Sequence, residues 1–238
     1  MENRRFYSSI IMICLLLFSF CGCKKKEIIR SGTVSYNVVN VMVGGNAVVL
    51  NQSPLDSVVN RSSKILTGTG GDHLYVSAFS YKNTALNYFG VDVNGADGDL
   101  FTLMLSGFWP NSVDAFFYKE VNIPPYSNST LSVRFINLLK GGPAISVNLT
   151  GTAPSSEVAA LPYQGIGVFK SHLSTSIAAP FIFEIRDASN GTLLSSYNLV
   201  PVSGISAYTL VWNGLLGGTE KQAPGILQIN HTNLNMQM

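Results

Sequence analysis

The densest cluster of potential ligand atoms in the sequence is the segment Asp92-Val-Asn94-Gly-Ala-Asp97-Gly-Asp99. Side-chain oxygens at alternating positions of a glycine-containing loop are typical calcium ligands. The acidic residue that such a loop needs at its last ligand position is absent, because Leu103 stands there. A turn between two strands uses the same residue types, for positive φ angles and for hydrogen bonds from side chain to backbone. We therefore favour a turn, and we keep a calcium site formed by Asp92, Asn94, Asp97 and Asp99 as the alternative.

No catalytic motif can be identified in the sequence. The histidines His73, His172 and His231 are too widely separated to match the usual spacing of metal ligands. The chain has no G-x-S-x-G or H-E-x-x-H motif, and the glycine-rich run 68–71 lacks the lysine of a phosphate-binding loop. Paired carboxylates for sugar hydrolysis would meet only in the fold. We predict that the protein is not an enzyme and has no catalytic residues and no cofactor.

Aromatic side chains are the other residues that could bind a ligand. Trp109 follows an apolar run and precedes Pro110, while Tyr118, Tyr126 and Tyr163 lie near prolines or loops. An exposed aromatic side chain can stack on a sugar ring. A tryptophan at the border between two domains can equally fill the interface between them. We favour the interface for Trp109 and keep a ligand-binding role as the alternative.

The beginning of the chain has the pattern of an export signal. Basic residues at positions 4 and 5 precede the apolar run 10–20, which is shorter than the roughly 20 residues that a membrane-spanning helix needs. Gly22 and Cys23 follow, as in the lipobox of bacterial lipoproteins. We predict that residues 1–22 are a lipoprotein signal peptide, that Cys23 carries the lipid, and that residues 23–31 form a tether. Because Lys24 and not aspartate follows Cys23, we expect anchoring in the outer membrane, on its periplasmic face or at the cell surface.

Composition excludes several classes of function. After the predicted cleavage only Cys23 remains of the three cysteines, so disulfides and thiolate metal sites are not expected. From Ile28 onward the chain has ten basic and eleven acidic side chains, a net charge of −1. A nucleic-acid-binding protein needs a basic face, so we expect no nucleic-acid partner.

The chain contains an internal repeat. Residues 35–51 (SYNVVNVMVGGNAVVLN) align with residues 132–148 (SVRFINLLKGGPAISVN) at a constant offset of 97, with six identical columns out of seventeen. A second match, of residues 101–107 with residues 208–214, closes each unit. These two matches, in the same order in both units, predict two tandem copies of one domain. We place the first repeat at 32–108, a linker and connecting strand at 109–129, the second repeat at 130–216, and a C-terminal tail at 217–238.

Periodicity within the repeats predicts β-structure. Tyr208, Leu210 and Trp212 alternate with Thr209, Val211 and Asn213, which is typical of a strand with one buried face. The glycine pairs at 44–45 and 141–142 lie between apolar runs and predict hairpin turns with positive φ. Asn40 and Asn137 interrupt apolar strands, so each is expected to satisfy buried backbone groups at a bulge or turn. The expected fold class is all-β, with two tandem antiparallel immunoglobulin-like β-sandwich domains.

The phrases SVRFINL, GGPAISVNL and YTLVWNG resemble the uncharacterised repeat domain of many Bacteroidota lipoproteins. That domain opens with a V-R-F-x-N-x strand, continues into a P-A-V-D-V strand and closes with a Y-T-L-V-x-x-G strand. The resemblance covers most of the second repeat and, more loosely, the first. Here Ser146 and Asn148 stand where the family has an acidic residue, and Leu139-Lys140-Gly141 replaces its S-P-D turn. The resemblance implies an immunoglobulin-like sandwich on an envelope lipoprotein, and it implies no activity.

These observations together predict a non-catalytic lipoprotein anchored in the outer membrane, with a structural or protein-binding role in the cell envelope. The alternative is a glycan-binding accessory lipoprotein of a polysaccharide-uptake system. The expected partners are the membrane, through the lipid, and an envelope protein or a glycan. Ser57 follows Asp56 in a short sequence that Bacteroidota O-glycosylate, so it is a further candidate modification site.

Overall fold

The computed structural model describes residues 32–173 and 180–231, and this part of the chain is built almost entirely from β-strands. The described residues contain no α-helix and two short 3-10 helices, Pro54–Asp56 and Glu220–Gln222. None of these helices is long and apolar enough to cross a membrane. The all-β fold predicted from the sequence is confirmed. The predicted signal peptide, the tether and Cys23 lie outside the described residues.

The strands fall into two units of eight. The first unit contains β1 (Thr33–Asn40), β2 (Val48–Leu50), β3 (Ser57–Val58), β4 (Ser62–Thr69), β5 (Gly71–Ser80), β6 (Asn87–Gly95), β7 (Leu100–Phe108) and β8 (Ser112–Lys119). The second unit contains β9 (Thr130–Asn137), β10 (Ile145–Leu149), β11 (Val158–Leu161), β12 (Lys170–Leu173), β13 (Phe181–Asp187), β14 (Leu193–Leu199), β15 (Ala207–Asn213) and β16 (Gly225–His231).

Each unit is a sandwich of two four-stranded sheets, and the strand order is the same in both units. The first unit has the sheets β4-β1-β7-β8 and β3-β2-β5-β6, and the second has β12-β9-β15-β16 and β11-β10-β13-β14. Most neighbouring strands are antiparallel, but β1 pairs in parallel with β7, as does β9 with β15. Since the members of these two pairs are far apart in the chain, no hairpin imposes an antiparallel direction on them.

The sheets β4-β1-β7-β8 and β12-β9-β15-β16, called the inner sheets below, pack face to face. An apolar cluster with members from both units lies between them; it consists of Val39, Val41, Met104, Ile136, Leu138, Val211 and Ile229, with Phe116, Tyr118, Ile166 and Leu227 packed against it. On its other face each inner sheet packs on the outer sheet of its own unit, around a separate core. The two units therefore form a stack of four sheets with three apolar layers.

This stacking corrects the predicted burial of the central strands. Tyr208, Leu210 and Trp212 do face the core of the second unit, as their alternation predicts. Val211 lies in the cluster between the units, and Thr209 beside it is also fully buried. The prediction of a single buried face is wrong for β15, because the opposite inner sheet covers its second face.

The predicted ends of the two repeats lie one strand too early. Residues 112–119, which we assigned to the linker and connecting strand, form β8, and the whole of β8 pairs with β7. Residues 225–231, which we assigned to the tail, form β16 and pair with β15. Both strands complete an inner sheet, so they belong to the sandwiches.

The glycine pairs form turns, but the turns are not hairpins. Gly44 and Gly141 have φ angles of +70° and +77°, as predicted. The strands that follow them, β2 and β10, belong to the outer sheets, so each turn carries the chain from one sheet to the other. A Cβ on Gly45 would lie 2.7 Å from the Cβ of Met42, so the second glycine of that pair is required by close packing.

Asn40 and Asn137 hold these corners in place, as the sequence predicts. The side-chain amide of Asn40 donates to the carbonyls of Asn46 and Val58, at 2.8 and 3.1 Å. The amide of Asn137 donates to the carbonyls of Pro143 and Leu161. Both side chains are fully buried and join the two sheets of their sandwich.

Candidate functional site

The acidic segment predicted as a turn or a calcium site forms the connection between β6 and β7. Asp97 accepts a hydrogen bond from the backbone nitrogen of Thr33 at 2.6 Å, and Asp99 accepts one from the nitrogen of Ala96 at 3.0 Å. Asp99 also pairs with Lys119 at 2.7 Å. Asp92 and Asn94 lie within β6, on the exposed face of the strand. These hydrogen bonds are those of a turn, and the described residues contain no cluster of three or more His, Cys, Asp or Glu that could hold a metal ion.

The structure keeps the three histidines apart. His73 is exposed near the start of β5. His172 on the edge strand β12 lies 3.2 Å from Glu157, while His231 ends β16 at the interface between the units. Ser57 begins the two-residue strand β3 and is half-buried.

Trp109 does not fill the interface between the units, contrary to our preferred interpretation. It is half-buried against the core of the first unit, and its indole nitrogen donates to the hydroxyl of Tyr88 at 2.7 Å. Its backbone nitrogen donates to Val43. The chain reverses after Trp109 into β8 of the same sandwich, so this residue precedes a hairpin strand and not a second domain. The ring also lacks the full exposure of a stacking platform.

A buried ion pair connects the units, and the sequence analysis did not identify it. Arg134 on β9 and Glu120, directly after β8, approach to 2.6 Å with side-chain exposures of 6% and 1%. Glu120 also accepts hydrogen bonds from the hydroxyls of Thr102 and Tyr118, at 2.7 and 3.1 Å. The sequence did hold one signal, because Arg134 is the one charged residue of the strand TLSVRFIN, all of which is buried or half-buried.

The second unit completes this network on the other side of Arg134. The guanidinium Nε donates to the hydroxyl of Thr209 at 2.8 Å, and the same hydroxyl lies 2.7 Å from Nε2 of His231. The ring of Phe169 covers the guanidinium at 4.6 Å from its centroid. The five side chains Thr102, Glu120, Arg134, Thr209 and His231 are called the interface network below.

Burial and charge shift the pKa values of two groups in the interface network. Burial alone would raise the pKa of Glu120, but hydrogen bonding and attraction from Arg134 outweigh it and hold the pKa below its usual value. Burial and the positive charge of Arg134 lower the pKa of His231 to about 4. The network therefore contains one negative and one positive charge at neutral pH, with His231 uncharged. This arrangement suits a structural contact, since the exposed fractions of the two side chains are only 6% and 1%.

Equivalent loops of the two units make reciprocal contacts around the apolar layer. Arg61, between β3 and β4, donates to the carbonyls of Lys221 and Ala223, which precede β16. Tyr163, between the corresponding strands β11 and β12, lies 2.6 Å from Asp114 on β8, and Lys140 pairs with the same carboxylate at 2.8 Å. The two units therefore contact each other through the same pair of surface regions, as the subunits of a twofold-symmetric dimer do.

Exposed apolar side chains lie along one edge of each inner sheet. On the edge strand β12 and beside it, Leu173 and Val168 are each 78% exposed. On the edge strand β4 of the first unit and beside it, Ile65 is 41% and Val59 62% exposed. Both strands pair with a neighbour on one side within the described residues, so their other sides have backbone groups available for hydrogen bonding.

An open cleft of about 310 Å³ lies at one end of the second unit. One wall is the segment Tyr126–Leu131, which leads into β9, and the other is the loop Pro201–Ile205 between β14 and β15. Tyr126 is the one candidate aromatic residue of the sequence analysis that lines this cleft. Tyr118 and Tyr163 lie at the interface between the units.

No protein-family model matches the chain, and a search of curated proteins gives no match. Among solved structures, the chain is similar to one titled "Alpha-glucan binding by a streptococcal virulence factor", with a TM-score of 0.29 and 15% identity over 76% of this chain and 93% of that chain. It is also similar to a putative adhesin from Bacteroides ovatus, with a TM-score of 0.23 and 11% identity over 85% and 93% of the two chains. TM-scores this low carry no argument about function.

Proposed function

We propose that this chain is a non-catalytic lipoprotein of the outer membrane, which holds a rigid four-sheet body near the membrane for a structural or protein-binding role. Lipid on Cys23 supplies the anchor in this proposal. The observation that carries it is the pair of edge strands β4 and β12 with their exposed apolar side chains, because open edges of this kind accept an extended segment of another protein.

The buried groups support the same proposal. The interface network is enclosed between the inner sheets, where its charges join the two units and have no access to a substrate. Face-to-face packing of the inner sheets fixes the positions of β4 and β12 relative to each other. A fixed spacing between two open edges is useful to a protein that organises partners, because its recognition surfaces need no ordering upon binding.

Site-specific photo-crosslinking in intact cells tests the protein-binding role. A photo-crosslinking amino acid at position 168 should give a discrete adduct with another envelope protein. The matched control is position 189, an exposed serine in the turn after β13. Replacement of Leu173 by Glu should remove the adduct at position 168, because a charge beside the edge opposes strand addition. Equal adducts at 168 and 189, or no adduct at 168, would contradict the proposal.

Replacement of the predicted lipidated residue tests the anchor. The Cys23→Ser variant should remain unprocessed or become soluble, and fractionation of membranes with mass analysis of the N-terminus would show this. Lys24→Ala is the control, since it leaves the cysteine in place. A processed Cys23→Ser protein that is still retained by the membrane would refute lipid anchoring at this residue.

A further inference from the structure

The cleft at the end of the second unit, between Tyr126–Leu131 and Pro201–Ile205, has the chemistry of a site for a small neutral ligand. Its volume of about 310 Å³ is at the lower end of the range of roughly 300–1,000 Å³ for small-molecule sites. We propose that this cleft binds a neutral sugar of one or two rings. This inference goes beyond the proposed function and does not depend on it, because the cleft is formed by other residues than the edges of β4 and β12.

The side chains of the cleft combine hydroxyl and amide groups with apolar surface. Its hydroxyl and amide groups come from Tyr126, Ser127, Asn128, Thr130 and Ser203. Its apolar residues are Val202, which is exposed, Ile205, which is half-buried, and Leu131 and Pro201, which are buried. A sugar ring needs both, since its hydroxyls form hydrogen bonds while its C–H faces pack on apolar or aromatic groups.

Among the described residues, those that line the cleft include no Asp, Glu, Lys, Arg or His, and this favours an uncharged ligand. A charged ligand would lose water at the cleft without gaining an ionic partner, which is unfavourable. A neutral ligand with several hydroxyl groups has a smaller desolvation cost, and the hydroxyl and amide groups of the cleft can form hydrogen bonds with it. Uncharged sugars fit this chemistry better than sugar acids, nucleotides or peptides with charged ends.

Both walls of the cleft are already held in position by the core. On one wall, the backbone nitrogens of Ser129 and Thr130 donate to the hydroxyl of Ser127, and Ser127 itself donates through its nitrogen to Ser206. On the other wall, the nitrogen of Val202 donates to the hydroxyl of Tyr208 at 2.8 Å, and Tyr208 is fully buried. Such a cleft needs little ordering when a ligand binds.

Several polar groups of the cleft remain available to a ligand. Among the described residues, the side chains of Tyr126, Asn128, Thr130 and Ser203 make no hydrogen bond to another protein group. Gly204 contributes a further open position, because its φ is +81° and nothing lies within 4 Å of where its Cβ would be. The loop thus leaves room next to the free hydroxyls.

Isothermal titration calorimetry of the detergent-solubilised full chain tests the inference. The probes are glucose, galactose, mannose and maltose, with glucuronic acid as the charged comparison. At least one neutral sugar should bind, and glucuronic acid should bind at least tenfold more weakly. Tyr126→Ala should weaken the binding at least tenfold without lowering the melting temperature by more than a few degrees.

Two further variants separate the cleft from other surfaces. Tyr81→Ala removes an exposed tyrosine of the first unit and should leave sugar binding unchanged. Ser203→Phe places a bulky side chain at the exposed tip of the loop and should block the cleft while Tyr126 stays intact. Absence of binding for all four neutral sugars would overturn the inference. Equal affinity in the wild type and the Tyr126→Ala protein, or tighter binding of glucuronic acid, would overturn it as well.

Discussion

At the scale of single residues, Arg134 and Glu120 form a buried ion pair that joins the two units. Both side chains are almost fully buried, and each has hydrogen-bond partners besides the other. Removal of one member of such a pair leaves the other charge unpaired in an apolar environment, which typically costs about 3–5 kcal/mol.

We therefore expect Arg134→Met to lower the free energy of unfolding by about 3–5 kcal/mol, because Glu120 is then buried without its cation. Chemical denaturation measures this. Arg134→Met combined with Glu120→Leu should recover much of the loss, since neither charge remains. Arg186→Met is the control, because its ion pair with Glu184 is more exposed. A double variant no more stable than Arg134→Met would contradict the assigned cause.

Individual residues also show where the sequence was informative. Asn40 and Asn137 could be recognised because asparagine in an apolar strand signals a buried backbone group. Trp109 was placed at the wrong surface because the repeat alignment ended the first unit before β8, so that Trp109 was taken for a residue at a domain border. The ion pair could not be predicted, because Glu120 reaches Arg134 only once the inner sheets face each other.

At the scale of strands and sheets, the apolar layer between the inner sheets is, among the described residues, the one core cluster with members from both units. Equivalent positions of the two units supply it: Val39 corresponds to Ile136, and Met104 corresponds to Val211. A separated unit would expose its half of this layer to water. The surface that covers this half is the inner sheet of the other unit.

Two fragments, residues 32–122 and 123–238, should therefore associate when they are mixed. We expect a complex of one copy of each, because association buries the apolar layer, and the complementary charges of Arg134 and Glu120 fix the relative orientation of the fragments. Analytical ultracentrifugation gives the stoichiometry. Val211→Lys in the second fragment should abolish the complex, and Val121→Lys, at an exposed position of the first fragment, should not. Fragments that remain separate at high concentration would show that the layer does not drive association.

The sequence predicted the strands with repeated residues better than the strands without them. The constant offset of 97 held through β1 and β9, and the second match covered β7 and β15. Neither match extended to β8 and β16. The connection before β16 is longer than the connection before β8, because it includes the 3-10 helix Glu220–Gln222. Alternation alone could not show that a second sheet would cover the outer face of β15.

At the scale of the whole molecule, stability should depend on pH through His231. Burial and Arg134 lower its pKa in the folded protein to about 4, while an unfolded histidine has a pKa of about 6.5. As the pH falls from about 6.5 towards 4, His231 is protonated in the unfolded protein but not yet in the folded protein. Protonation therefore favours the unfolded state, and the free energy of unfolding decreases over that range.

The expected loss across this range is on the order of 3 kcal/mol, because one unit of pKa corresponds to about 1.4 kcal/mol. Glu120 adds a loss at lower pH, since its pKa is below the usual value in the folded state and its stabilisation fades as it becomes protonated. Melting temperatures at a series of pH values measure this. His231→Gln should flatten the curve between pH 6.5 and 4, whereas His73→Asn, at an exposed site, should leave it unchanged. A curve with the same slope in His231→Gln would assign the loss to another group.

The segment 120–129 connects β8 to β9 and thereby joins the two units in one chain. A covalent connection replaces association between separate molecules by an intramolecular step at a high effective concentration. The contact between the units therefore forms at any concentration of the protein. The two halves can also differ in sequence. Arg134 of the second unit is equivalent to Asn37 of the first unit, and Glu120 of the first unit is equivalent to His231 of the second unit. A symmetric dimer of identical units would contain each contact at two equivalent positions, whereas this chain has its ion pair at only one of the two equivalent positions.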